Sequence, residues 1–361
     1  MSSSGVYQTI TFPVEDDLSG YSFATEEGFV QFPDSLGAHP DFQTEWWYYT
    51  GNLESDDGRQ FGYQFTIFRR AIDSPANFDK GDTESWRTNQ IYFAHVAIAD
   101  IENNDFFHDS RFARGAAGLA GAKASPYEVW IENWEVKEIS PGVHEMKAKH
   151  VDFEFDLVLR ETQPPVLHGI DGLSPKSEGV GKASYYYSLV DMETTGEVVV
   201  NGEKIQVKGK SWKDHEVATN PLADNAIGWD WFSAQLDTGE SLMFGNIRLE
   251  DNTLDPYSGG SWILPDSSIE VIRSNQDVFV EVVDTWTSPG TGATYPSEWI
   301  IRIPEKNLEL NVTTLVDDAE LLAGFTVYWE GPAYYEGTMN GESISGYGYI
   351  ELTGYVDPIE L

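Results

Sequence analysis

The chain has no cysteine among its 361 residues. Disulfides and thiolate metal sites are excluded, and the redox compartment cannot be read from cysteine usage. Basic residues are scarce: 22 Lys and Arg stand against 60 Asp and Glu, a formal charge of −38. Such a surface repels nucleic acid and anionic membranes, so neither is expected as a partner, and solubility accounts for the excess. No apolar run approaches the roughly 20 residues that a membrane-spanning helix needs, so no membrane insertion is expected. Met1-Ser2-Ser3-Ser4-Gly5 shows neither the basic start nor the apolar run of a secretory leader. The sequence as written reads as cytoplasmic, or as periplasmic or secreted if a leader was removed. Also missing are a His-Glu-x-x-His motif, a Gly-rich nucleotide loop and a Gly-x-Ser-x-Gly elbow. Asp251, Asp255 and Asp266 have no standard calcium-loop spacing. No cofactor and no metal is expected.

Helical periodicity is absent as well, and alternation with period two takes its place. Phe61 to Phe68, Val151 to Leu157, Val278 to Val283, Val312 to Leu315, Phe325 to Trp329 and Tyr347 to Leu352 read as strands. Asp57-Gly58, Pro141-Gly142, Asn201-Gly202 and Asn340-Gly341 supply the turns between such strands. With 12 Trp, 18 Tyr and 19 Phe, aromatics are plentiful; they suit strands and the walls of apolar pockets. The class is all-β, a sandwich or an antiparallel barrel. Two segments break the rhythm, Ala71 to Asn89 and the Pro- and Gly-rich Glu161 to Ala183. Loops of that length read as lids or binding loops, or as disordered segments.

The chain also repeats itself. Trp46, Tyr48 and Leu53 recur as Trp229, Trp231 and Leu236, each at an offset of 183 (229 − 46). Asn201-Gly202-Glu203 before Trp212-Lys213-Asp214 is matched by Asn340-Gly341-Glu342 before Tyr349-Ile350-Glu351. Two copies of one β architecture are expected, residues 1–217 and 218–361, joined near Ala218-Thr219-Asn220-Pro221-Leu222.

The strongest candidate for chemistry is Trp212-Lys213-Asp214-His215-Glu216. On a strand, Trp212, Asp214 and Glu216 share one face and Lys213 and His215 the other. The second copy holds Tyr349, Glu351 and Thr353 at the first set, so the Asp-His-Glu cluster belongs to the first copy alone. Asp214 facing an aromatic interior would have a raised pKa and could donate a proton. The plainer alternative is a polar strand end whose carboxylates pair with Lys213 or an Arg. A second candidate is Glu45 in Glu45-Trp46-Trp47-Tyr48-Tyr49. If Trp46 and Tyr48 are repeated core residues, Glu45, Trp47 and Tyr49 remain to face a ligand. His95, in an apolar strand, is either a satisfied core group or a pocket residue, and His39 precedes the Trp-rich strand.

These residues are similar to the signature of the carotenoid 1,2-hydratase-like, or AttH-like, proteins. His39-Pro40, Glu45-Trp46-Trp47-Tyr48, Phe61-Gly62-Tyr63-Gln64, His95, Asp214-His215-Glu216, Gly228-Trp229-Asp230-Trp231 and Gly348-Tyr349-Ile350-Glu351 carry the resemblance. It implies two tandem lipocalin-like antiparallel β-barrels and a pocket for an oily small molecule. Relatives hydrate carotenoid double bonds or cyclise polyketides, and bacterial members are often described as secreted hydrolases. No triad supports hydrolysis here.

The expected enzyme protonates a C=C bond of an isoprenoid- or polyketide-like substrate, giving hydration or cyclisation. Its catalytic candidates are Asp214, His215, Glu216 and Glu45. Trp47, Tyr49, Gln64, His95, Trp212, Trp229 and Trp231 are the candidates for substrate contact. The alternatives are a non-catalytic carrier of a lipophilic ligand and a shape-selective cyclase that needs no proton donor.

Overall fold

A computed structural model describes residues 18–76, 78, 87–322 and 326–359. Part of the Ala71–Asn89 segment, the N-terminal Met1–Gly5 and Phe325 of the expected Phe325–Trp329 strand lie outside the described residues. The chain forms two antiparallel sheets, the first curled into a nearly closed barrel and the second into a half-barrel. No helix among the described residues is long and apolar enough to cross a membrane.

Each sheet is built around a pairing of its first and last long strands. Thr44–Ser55 lies between Gln60–Ala71 and Glu203–Ala218, and Ala226–Leu236 lies between Ser241–Leu249 and Glu342–Leu352. The duplication in sequence is therefore a duplication in register. Tyr48 sits opposite Asp214 in the first sheet, and its counterpart Trp231 sits opposite Glu351 in the second.

Alternation explains the strands that have one wet face. Leu308–Thr314 buries every second side chain and exposes the rest, as a half-covered antiparallel strand must. Thr44–Ser55 and the later half of Glu203–Ala218 are buried almost throughout. One of their faces lines the barrel core, with Trp47, Tyr49, Phe65, Phe155 and Leu157. The other meets the second sheet through Tyr48, Tyr186, Trp212, Trp231 and Tyr349.

Polar side chains fasten the two sheets. Asn52 donates to the Gly348 carbonyl at 3.1 Å, and Gln235 donates to the Val190 carbonyl at 2.7 Å and the Ser211 carbonyl at 3.1 Å. At Gly62 the backbones come so close that a Cβ would lie 2.6 Å from the Pro332 ring. Only glycine permits that approach.

Candidate functional site

The space between the sheets opens into a cavity of about 1710 Å³. It is larger than the ~300–1,000 Å³ usual for small-molecule sites. Trp46, Tyr48, Phe68, Phe93, Trp229 and Trp231 supply much of its aromatic wall, and Asp214, Glu216 and Glu351 are among its carboxyl groups.

Asp214 is buried and held from three sides. Tyr186 donates to Oδ2 at 2.6 Å, Trp212 Nε1 donates to Oδ1 at 2.6 Å, and the Ser188 hydroxyl donates to Oδ1. Burial raises its pKa to about 6; the three donors oppose that shift and Glu216 adds to it. Ser188 in turn bonds His168 Nε2 at 2.7 Å, and His168 Nδ1 reaches the Ser261 hydroxyl at 2.9 Å. A hydrogen-bonded line thus runs from the second sheet to the acid. Burial pulls His168 down to about 3, so it is a neutral imidazole in this line. Glu216, two residues on, is ion-paired with Lys176 at 3.2 Å.

The second sheet contributes an acid of its own. Glu351 accepts a hydrogen bond from Trp229 Nε1 at 2.8 Å, and burial raises its pKa to about 7, with Asp214 and Glu216 adding to the rise. Its cross-strand neighbour Glu330 is fully buried beside the Tyr48 and Tyr328 hydroxyls, and neither of its oxygens makes a well-formed hydrogen bond. Burial, with Glu351 adding to it, pushes the Glu330 carboxyl well above its usual range, which favours the neutral acid. Carboxyl groups are therefore present at the repeated position in both copies. The Asp214 acid is not what distinguishes the first copy; His215 and Glu216 are.

Alternation assigns the faces as expected, but the core and ligand sides are exchanged. Trp46 and Tyr48 line the cavity instead of forming a core, together with Trp229 and Trp231, which are among the candidates for substrate contact. Glu45, Trp47 and Tyr49 point the other way, into the first barrel, where they are wholly buried. Gln64 is also buried outside the cavity wall, donating to Thr66 at 2.5 Å. His95 is on the wall and bonds the Tyr328 hydroxyl at 2.8 Å across the sheets. Trp212 lies behind Asp214 as a donor to it. Of the four residues expected to carry chemistry, Asp214 and Glu216 reach the cavity and Glu45 and His215 do not.

Glu45 and His215 belong to a separate buried cluster. Glu45 Oε1 meets His215 Nε2 at 2.8 Å and His39 Nδ1 at 2.7 Å, while Arg69 Nε donates to Oε2 at 2.8 Å. Burial disfavours the Glu45 carboxylate, but Arg69 and the two imidazoles outweigh it and hold its pKa well below the usual range. The ligand-type atoms of His39, Glu45 and His215 lie within 4.8 Å of one another. With Arg69 on the remaining oxygen, the arrangement is complete as a hydrogen-bonded staple between the first strand, the last strand and the loop at His39. Beside it Lys213, buried among the Tyr49, Tyr127 and Tyr187 rings, is brought down to about 7 by burial, with Glu161 opposing.

Sequence reasoning missed His168, Tyr186, Ser188, Lys176 and Glu330. Tyr186 and Ser188 alternate on one strand face next to Asp214, but nothing in the chain announces that pairing. Glu351 is legible at the repeated position, but the repeat alone points to the Asp-His-Glu cluster that only the first copy carries.

Two tandem antiparallel sheets around a large, acid-bearing aromatic cavity define an all-β, two-sheet class of protein. The chain belongs to the AttH-like family, whose model matches residues 24–355. A protein assigned as AttH from Nitrosomonas europaea is 34% identical, with a TM-score of 0.79 over 91% of this chain and 97% of that one. Kievitone hydratase from Nectria haematococca is 16% identical, with a TM-score of 0.68 over 92% of this chain and 94% of its own. CghA is 11% identical, with a TM-score of 0.54 over 93% and 98% of the two chains. At those identities the last two share the fold. No curated protein matches the chain.

Proposed function

We propose that the cavity is an active site in which Asp214 protonates a C=C bond of an apolar small molecule, isoprenoid- or polyketide-like in character. The observation that carries this reading is a buried carboxyl group, titrating at about 6, on the wall of a large aromatic cavity. Near neutrality it holds a proton part of the time and can release it. The donors from Tyr186, Trp212 and Ser188 then stabilise the carboxylate left behind. The proton adds to one alkene carbon and the other becomes a cation, facing Trp229, Trp231 and Tyr48. Water bonding to that cation and returning a proton to the carboxylate gives hydration. An internal alkene attacking it, with loss of a proton, gives cyclisation. The shared fold with a protein named as a hydratase supports this class of reaction.

Turnover of a prenylated phenol or linear polyene in D2O is expected to place deuterium on carbon. The rate should fall as pH rises through about 6, because the protonated acid is the reactive form. Asp214→Asn should cost about 10²–10⁴-fold in rate. Undiminished turnover in that variant would eliminate Asp214 as the acid. The cavity volume equally suits a carrier, under which ligand is recovered unchanged and binding is insensitive to Asp214.

A further inference from the structure

Among the described residues, the cavity wall carries one part-buried cation that has no ion pair. Arg70 lies on its wall, at the far end of the row that Phe68 shares. Lys176, also on the wall, is committed to Glu216, and Arg273 is exposed. Arg70 is only partly exposed, and among the described residues it has no ion pair and no side-chain hydrogen bond. Its register neighbours are Thr44 and Ile91, neither of them acidic. Burial lowers its pKa, and only the Tyr21 hydroxyl acts in the other direction. In a chain with 60 acidic residues, a half-buried guanidinium with no carboxylate partner among the described residues stands out.

Arg70 stands across from Thr44, and Asp214 stands across from Tyr48. Four residues along a strand separate the two levels, about 14 Å. Between them the wall carries Trp46, Phe68 and Phe93, with the Glu216–Lys176 ion pair beside Trp46. The cavity thus has an acid at one level, the Arg70 cation at another, and between them an aromatic wall on which Glu216 and Lys176 neutralise each other.

We propose that Arg70 anchors an anionic end of the bound molecule, and that the ligand is an amphipathic monoacid with an unsaturated body reaching toward Asp214. This rests on the reading of the cavity as the ligand site. A carboxylate suits a single planar guanidinium, which it can meet with two parallel hydrogen bonds. A dianion such as a phosphate monoester would face Asp214, Glu216 and Glu351 with only one part-buried unpaired cation among the described residues to neutralise it.

The test is a matched pair of fluorescent probes, cis-parinaric acid and its methyl ester, titrated at pH 8 into the full chain. The wild type should bind the acid ~10-fold or more tightly than the ester, as a charge-assisted pair in a part-buried site implies. Arg70→Gln should weaken the acid to within ~2-fold of the ester while leaving the ester unchanged, and Arg70→Lys should keep part of the preference. Equal affinity of acid and ester in the wild type overturns the proposal. So does a preference that survives Arg70→Gln, or a failure of both probes to bind. The ester titration shows whether the variant still folds around its cavity. These outcomes are separate from Asp214 chemistry: full turnover in Asp214→Asn removes the proton donor and leaves the Arg70 result standing.

Discussion

Glu351 shows how a single position carries two messages. Its pKa is raised from 4.5 to about 7, so the folded state binds its proton more tightly than the unfolded chain does. The stability it contributes is present below pH 4.5 and is lost as pH rises through about 7. Glu351→Gln should therefore remove part of the decline in unfolding free energy between those values, by roughly 2–3 kcal/mol. Denaturant melts at pH 4.5 and 7.5 would check it; an unchanged slope with pH would refute the raised pKa. The residue itself was legible, because the repeat aligns it with Asp214. Its burial was not, since burial needs the other sheet. The same holds for Glu45 and His215: their shared network with Arg69 and His39 could not be read from sequence positions far apart.

At the level of elements, the strands Thr44–Ser55 and Glu203–Ala218 decide the architecture because both of their faces are covered. Alternation correctly divides Trp47 and Tyr49 from Trp46 and Tyr48. It does not say which side is a core and which a cavity, because both are aromatic. That ambiguity produced the exchanged assignment of Glu45 and Trp47. The close approach of the sheets depends on Gly62 against Pro332. Gly62→Val should force the backbones apart and cost about 1–3 kcal/mol, as overpacking does. Thermal unfolding reads this directly, and an unaltered midpoint would mean that the sheets tolerate separation there.

For the whole molecule, charge and the two-sheet plan act together. A net charge of −38 repels itself more in the folded chain than in the expanded one. Raising NaCl from about 20 mM to about 500 mM should therefore raise the unfolding temperature by several degrees, because the Debye length shrinks well below the spacing of most surface charges. Surface ion pairs such as Lys204–Glu197 weaken under the same conditions but contribute little each. A midpoint that falls with salt would show that ion pairs outweigh the repulsion.

The sequence by itself determined an all-β chain, its internal repeat, its family resemblance and the face on which Asp214 lies. Alternation, turn residues and duplication are local signals, and each is written in a short stretch of chain. Only the tertiary structure decided that the aromatic faces of the two copies enclose one cavity, that Glu351 joins Asp214 there, and that Glu45 and His215 turn away from it. Whether an aromatic strand face becomes a packed core or a hollow depends on what the opposing sheet places against it, and that is a property of two distant segments at once.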